Sequence, residues 1–163
     1  MKHNILKKTD QILFLILKCG SATCLVGLLF FIAAGVFVRF VPISSMGWAD
    51  EIIEFGFAWM VFLGAAALWR GRSHFRVELL PERLAGKTSG MILDIFLNLS
   101  ALVFLFIFTY QGSLLAFQAT DRSPILEFPR TLWYIVMPIS GAIMIVYTLR
   151  DLWVLLRGKS HLH

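Results

Sequence analysis

The chain has 163 residues, of which 58% are hydrophobic and only 15% are charged, a balance that excludes an ordinary soluble globular domain. Its net charge of +5 does not indicate nucleic-acid binding, because the basic residues cluster at the ends of apolar runs and no basic, aromatic surface motif is present. Several runs reach the length of about 20 residues that a hydrocarbon core of about 30 Å requires. We therefore expect one domain, an all-α integral membrane protein with four transmembrane helices.

The first 18 residues contain four lysines among apolar residues, a pattern that predicts an interfacial N-terminal helix leading into the membrane. A cleaved secretory signal peptide is the alternative. Lys18 interrupts the apolar region that such a peptide needs, and the run beyond it is too long for one. The sequence therefore favours an uncleaved anchor.

The first membrane helix is predicted at residues 19–38, a stretch without any charge. Gly20, Cys24 and Gly27 fall roughly on one stripe of this helix, where another helix could approach closely. Cys19 and Cys24 lie about 140° apart around the helix axis, at about 100° per residue, so a disulfide between them is not expected.

The second helix is predicted at residues 50–69 and has the clearest boundaries in the chain. One aromatic residue and three carboxylates mark its start: Trp48, Asp50, Glu51 and Glu54. Its exit, in a loop predicted at 70–88, is basic and contains Arg70, Arg72, His74 and Arg76. Acid at the start and base at the end suit the helix dipole at both termini. Glu54 lies one turn inside, where a carboxylate must be near the interface, paired, or buried in protein.

Two further helices are predicted at residues 91–117 and 132–150, followed by a basic tail at 151–163. Asp94 and Asn98 share one face near the start of the third helix, and Asn98 is expected to find a hydrogen-bond partner. Pro138 predicts a kink in the fourth helix, because proline lacks the amide hydrogen of a helical residue.

The distribution of basic residues predicts the orientation of the chain. Four helices place both termini and the loop at 70–88 on one side of the membrane. Of the 15 lysines and arginines, all but Arg39, Arg122 and Arg130 fall on that side. Because positively charged loops stay in the cytoplasm, both termini are predicted to be cytoplasmic.

The sequence contains no recognisable catalytic, metal or cofactor motif, so we expect neither an enzyme nor a bound cofactor. Two other functions remain open. A small homo-oligomeric four-helix exporter would need an essential buried acid, for which Glu54 is the candidate. An accessory subunit of a membrane oxidoreductase would need quinone- or haem-binding residues, and none is found, since all four histidines lie outside the apolar runs.

Three stretches resemble the small membrane subunit of tripartite ATP-independent periplasmic (TRAP) transporters, the DctQ-like family. They are WADE at 48–51, FLGAAA at 62–67 and RGRSHFRVELL at 70–80, in which Glu78 stands where an aspartate is common in the family. The resemblance implies a scaffold in the bacterial inner membrane, paired as a heterodimer with a large, sodium-coupled elevator subunit. A periplasmic binding protein would deliver an organic acid, and membrane lipids would surround the pair.

The resemblance also implies roles for residues of this chain. Those expected to pack on the partner subunit are Trp48, Asp50, Glu51, Glu54, Gly64, Ala65, Ala66 and Ala67. Those expected to anchor the cytoplasmic loop are Arg70, Arg72, His74 and Arg76. The candidates for docking the periplasmic binding protein are Arg39, Asp121, Arg122, Glu127 and Arg130.

Overall fold

The computed structural model describes residues 2–41, 47–70 and 88–156, and these are almost entirely helical. The helices are α1 (Lys2–Phe40), α2 (Gly47–Arg70), α3 (Thr88–Gln118), α4 (Thr131–Tyr134) and α5 (Val136–Leu156). Four spans are long and apolar enough to cross a membrane: Lys8–Phe40, Gly47–Arg70, Ile92–Gln118 and Thr131–Leu155. The predicted all-α architecture with four transmembrane helices is confirmed. Most of the predicted loop at 70–88 and the end of the predicted tail lie outside the described residues.

The N-terminal segment differs from the prediction, because α1 is one continuous helix from Lys2 to Phe40. The expected interfacial helix is therefore not a separate element. No proline interrupts this stretch, and its first glycine, Gly20, faces the side chain of Leu63 in α2. The residues after Lys18 include Gly20 and are poor helix formers by themselves, but in lipid a helix must continue because it satisfies every backbone group internally. The polar first turns of α1 consequently extend beyond the apolar span.

The fourth span is divided at Ile135, one turn before Pro138. The proline nitrogen cannot donate to the carbonyl of Tyr134, and its ring crowds that carbonyl, so α4 ends there. Helical hydrogen bonding resumes at once, because the amide of Ile139 donates to the carbonyl of Ile135 at 3.3 Å. α5 then continues to Leu156, beyond the predicted end at residue 150.

The four spans form a bent row one helix thick, in the spatial order α1, α2, α5, α3. Among the described residues, α1 has Cα atoms within 8 Å of α2 alone, whereas α3 approaches only α4 and α5. The rings of Phe62 in α2 and Phe108 in α3 lie 5.7 Å apart, so these two helices touch through side chains although none of their described Cα atoms come within 8 Å. Along the helix axes, the molecule has two ends. At the Arg70 end, α2 and α5 stop; at the hairpin end, residues 119–130 connect α3 to α4.

Small residues allow α1 and α2 to pack closely. The hydroxyl of Ser21 donates to the carbonyl of Met60 at 3.0 Å, beside Gly64. Gly20 also belongs to this contact, as its predicted stripe requires, but Gly27 has nothing within 4 Å of a built Cβ. Leu28, next to Gly27, faces α2 instead. The predicted stripe therefore describes the contact at one end only.

Candidate functional site

Residues 119–130 form a compact connection, here called the hairpin, with its own hydrogen bonds. Arg122 and Pro129 form an isolated antiparallel bridge, and the amide of Ser123 donates to the carbonyl of Phe128 at 2.9 Å. Glu127 adopts a positive φ of 55°, which lets the chain reverse direction. The hydroxyl of Thr131 donates to the carbonyl of Ala119 at 3.0 Å and closes the base. A loop held in this way presents a defined surface.

Glu51 attaches the hairpin to the first turns of α2. Its two carboxylate oxygens accept hydrogen bonds from the backbone amides of Ile125, at 2.8 Å, and Leu126, at 2.9 Å. Only 8% of the residue is exposed. A buried carboxylate must have donors, and two consecutive amides at a reversal of the chain supply them. Glu51 therefore determines where the hairpin lies relative to α2.

A second attachment lies one turn further along α2. Arg130, at the end of the hairpin, contacts the carboxylate of Glu54 at 3.4 Å. The indole nitrogen of Trp59 donates to the carbonyl of Leu132 at 3.0 Å. The side chain of Glu54 is 58% exposed, so this pair is a surface ion pair and contributes less than the Glu51 contacts.

The outward surface of the hairpin combines apolar and charged side chains. Ile125 and Phe128 are both more than half exposed, although each is a large hydrophobic residue. Asp121, Arg122 and Glu127 are exposed beside them. An apolar tip with a charged rim is typical of surfaces that contact another protein.

Beneath the hairpin lies a cavity of about 140 Å³. Its lining residues are Glu51, Ile52, Phe55, Leu126, Phe128, Leu132 and Trp133. The cavity is smaller than ordinary ligand sites, and its one charged lining residue is an acid. The lining offers no cation, and the carboxylate oxygens of Glu51 are already bonded to the amides of Ile125 and Leu126, so this cavity is not suited to hold an organic anion.

At the opposite end of the row, Asp10 joins three helices. Its carboxylate accepts hydrogen bonds from Arg70 of α2, at 2.6 Å, and from the hydroxyl of Tyr147 of α5, at 2.9 Å. Arg150 approaches the same carboxylate at 4.0 Å and contacts Asp151 at 3.2 Å. We call Asp10, Arg70, Tyr147 and Arg150 the clasp. It holds the polar extension of α1 against α2 and α5.

We expect Asp10→Ala to destabilise the chain by roughly 1–3 kcal/mol, because Arg70 and Tyr147 lose a half-buried acceptor and two arginines are left facing each other. The free energy of unfolding, measured by denaturation in mixed detergent micelles, checks this. Gln11→Ala, at an exposed neighbouring position, is the control and should have little effect. In a double-mutant cycle, the effects of Asp10→Ala and Arg70→Ala should be strongly non-additive. Additive effects would contradict the clasp.

The structure corrects part of the expected partner-packing set. Ala66 and Ala67 are buried inside this chain, where they pack with Leu17, Leu105 and Met144. Glu51 is buried by the hairpin. These three residues have almost no surface left for a partner subunit, because the chain's own helices already cover them. Gly64 lies against Ser21, and Ala65 is half-buried.

The remaining expected residues lie at the two ends of the row. At the hairpin end, Trp48 packs edge-on against Phe31 with ring centroids 6.0 Å apart, and Asp50 is exposed. Arg39 is exposed at the end of α1. Arg70 binds Asp10 within the chain, and its expected role in anchoring the cytoplasmic loop stays a prediction. Arg72, His74 and Arg76 lie outside the described residues.

Comparison with known proteins decides the family. The family model of the DctQ component of tripartite ATP-independent periplasmic transporters matches residues 28–158, which include α2, α3 and α5. The chain belongs to the DctQ family. A relative, the isethionate TRAP transporter permease protein DctMQ of Oleidesulfovibrio alaskensis (strain ATCC BAA-1058 / DSM 17464 / G20), is 33% identical over 112 residues. The match covers 64% of this chain and 17% of the relative, so the chain spans about one sixth of that protein's length.

Asp10 and Tyr147 of this DctQ-family chain were not predicted as functional residues, although both belong to the clasp. Asp10 is the one acid among the first 18 residues. If the helix is known to continue past Lys18, a single acid at its polar end indicates an ion pair with a basic residue. Tyr147 lies one turn before Arg150 and Asp151, so it shares their end of the helix. Neither signal identifies the partner, because the partners come from helices distant in sequence.

Proposed function

We propose that this chain is the small scaffold subunit of a sodium-coupled TRAP transporter that imports an organic acid. The match of the DctQ family model to residues 28–158 carries this proposal. In this role the chain forms a heterodimer with the large transport subunit in the bacterial inner membrane and stabilises it. The name of the DctMQ relative, together with the small share of its length that matches, supports association with a much larger membrane component.

The substrate class in this proposal is an organic anion, with sulfonates included. The relative is named for isethionate, a sulfonate, and carboxylates are the other members of the class. Recognition of the anion is assigned to the binding protein and the large subunit. The described part of this chain supports that assignment, because the small cavity under its hairpin is lined by apolar groups and offers no cation to an anion.

Docking of the binding protein is assigned to the hairpin end. Twelve of the 15 lysines and arginines belong to the two terminal segments and the predicted loop at 70–88, an asymmetry that predicts a cytoplasmic Arg70 end and a periplasmic hairpin. The hairpin is attached rigidly at Glu51 and exposes Ile125 and Phe128 within a charged rim. A fixed surface loses little entropy when it binds, which suits repeated docking of a soluble protein.

Mild-detergent purification of the tagged chain from its native membrane tests the proposal. We expect a large transport subunit in equal amount, identified by mass spectrometry, and uptake of the organic acid that requires both subunits and a sodium gradient. A homodimer without a large partner would contradict the scaffold role and favour the exporter. The exporter is already disfavoured by Glu54, which is mostly exposed and paired with Arg130 rather than buried.

Arg130→Glu tests the part of the proposal that concerns docking. This substitution places two carboxylates together, and we expect less than about 1 kcal/mol of lost stability because the pair with Glu54 is exposed. If Arg130 contacts the binding protein, uptake falls several-fold, and the swapped variant Glu54→Arg with Arg130→Glu regains stability but not uptake. Unchanged uptake in the single variant would remove Arg130 from the docking surface.

A further inference from the structure

α3 is the edge helix of the row and has one side without a neighbour in this chain. Its packed side lies against α5, where Leu105 is fully buried and Gly112 approaches Met137. The opposite side carries a regular stripe at alternating spacings of four and three residues. The stripe, here called the α3 seam, consists of Ser100, Phe104, Ile107, Gln111, Leu114 and Gln118. Such a spacing keeps all six residues in line and is typical of a helix that packs along another helix.

Gln111 lies well inside the membrane span. A Cβ built on the adjacent Gly112 would be 3.0 Å from the Cβ of Met137 and 3.5 Å from the nitrogen of Pro138, so Gln111 is level with those residues. Arg130, the nearest charged residue on that side, precedes Pro138 by eight positions. At 1.5 Å per residue, Gln111 is roughly 10 Å deeper in the membrane than Arg130 and than Gln118 at the end of α3.

A carboxamide at this depth needs a partner that lipid cannot supply. Gln111 is exposed, and within the part of the chain that the structure describes its side chain makes no hydrogen bond. Hydrocarbon offers neither donors nor acceptors, so an amide facing it is costly, whereas a neighbouring helix can satisfy it. Gln111 therefore requires a hydrogen-bonding group on another helix that packs along the α3 seam.

The exposed side of α1, at the other edge of the row, shows what a lipid-facing surface of this chain looks like. Its large exposed residues at membrane depth are all apolar: Leu25, Val26, Leu29, Phe30, Ile32, Val36 and Phe37. No amide or charge interrupts that set. Lys18 is also exposed on α1, but it lies toward the Arg70 end, where a long lysine side chain can reach the headgroups. A glutamine side chain is too short to do so from roughly 10 Å inside the span, so the α3 edge differs in chemistry from residues 25–37 of α1.

We propose that the α3 seam is covered by a transmembrane helix of the large TRAP subunit, which supplies a hydrogen-bonding group to Gln111. This inference rests on the proposed function and adds the surface by which the two subunits meet. A second copy of this chain is the weaker candidate. In the DctMQ relative the matched part is 17% of one chain, so each copy carries its own much larger neighbour. A one-to-one contact with that neighbour covers the seam without a homodimer.

Photo-crosslinking in the intact complex tests the assignment. A photoreactive phenylalanine derivative is placed at Ile107, on the seam, or at Phe106, its neighbour at the same depth on a different face. The two side chains are exposed to nearly the same extent, 58% and 55%, so exposure does not distinguish them. The chain is co-expressed with its cognate large subunit and irradiated in membranes. We expect a heterodimer adduct, identified by mass spectrometry, from position 107 and at least several-fold less from position 106.

Each other outcome decides a separate question. A homodimer adduct from position 107, no protein adduct, or equal yields from both positions would overturn the α3 assignment while the proposed function stands, provided that the unmodified subunits co-purify. Failure of the unmodified subunits to co-purify would overturn the proposed function itself. Gln111→Leu supplies an independent measurement: the amount of large subunit retained should fall about three- to tenfold, the range expected for one interhelical hydrogen bond. Gln118→Leu, on the same stripe at the helix end, should retain the wild-type amount.

Discussion

Replacing Glu51 with alanine is expected to release the hairpin from α2. The amides of Ile125 and Leu126 would lose both carboxylate acceptors. Backbone amides that lose their acceptors exchange with solvent through small local openings rather than through global unfolding. We expect hydrogen exchange in peptides covering residues 119–130 to accelerate roughly tenfold or more. Binding-protein-dependent uptake should fall with it.

Asp50→Ala is the matched control for this experiment. Asp50 precedes Glu51 in the same turn of α2 and is also a carboxylate, but its side chain is exposed and has no described bond to the hairpin. Exchange in the hairpin should therefore stay at the wild-type rate. Glu51→Gln should give an intermediate rate, because one amide oxygen can still accept while the NH2 group opposes a backbone donor. Wild-type exchange in Glu51→Ala would show that the carboxylate does not hold the hairpin.

Enlarging Gly141 is expected to separate α3 from α5. A Cβ at this position would overlap the hydroxyl of Thr109 and lie 3.2 Å from the Phe108 ring. Both groups belong to α3, where the Thr109 hydroxyl oxygen is buried and the Thr109 Cβ also lies 3.3 Å from the added atom, so the contact is relieved mainly by shifting the helix. We expect Gly141→Ala to destabilise the chain by about 1–3 kcal/mol and Gly141→Leu by more. Denaturation in mixed micelles measures both changes.

Gly35→Ala separates this packing effect from the ordinary effect of a glycine in a helix. A Cβ on Gly35 meets nothing within 4 Å, so alanine there should be neutral or stabilise the helix by up to about 1 kcal/mol. The two substitutions add the same methyl group to two membrane helices. If both changed stability in the same direction and by the same amount, the close approach of α3 and α5 at Gly141 would be wrong.

The elements of this fold could be predicted because they depend on local properties. A run of about 20 apolar residues must be a membrane helix, since only a helix satisfies every backbone group within lipid. The break before Pro138 is equally local, because it follows from the missing amide hydrogen. The family could be predicted as well, from WADE, FLGAAA and the basic exit of α2.

The order of the helices could not be predicted, because small residues identify a close contact without identifying its partner. Gly64 and Ala66 are only two positions apart. Gly64 nevertheless packs on Ser21 of α1, whereas Ala66 packs in the core that all the spans share. Both were expected to face another subunit. A residue pattern on one helix is compatible with any neighbouring helix of suitable shape. Which helix becomes the neighbour depends on the packing of all four spans together.

The roles of the acidic residues could not be predicted either, because their partners lie far away in the sequence. Glu51 and Glu54 lie in neighbouring turns of α2, and only the conformation of a loop 70 residues later decides which of them is buried. Asp10 presents the same difficulty. Its two bonds require α1 to continue straight past Lys18, where a change of composition suggested a boundary.

The row of helices also has a mechanical consequence. A plate one helix thick, attached to a larger body along one edge, has its free edge roughly 24–30 Å away, because four helices have three intervals of the usual 8–10 Å between their axes. If the assembly tilted by about 10°, the free edge would rise or sink by roughly 4–5 Å relative to the bilayer, and each ångström of hydrophobic mismatch costs a fraction of a kcal/mol. In the proposed heterodimer, this cost would oppose tilting of the large subunit within the bilayer, while lateral diffusion would stay free.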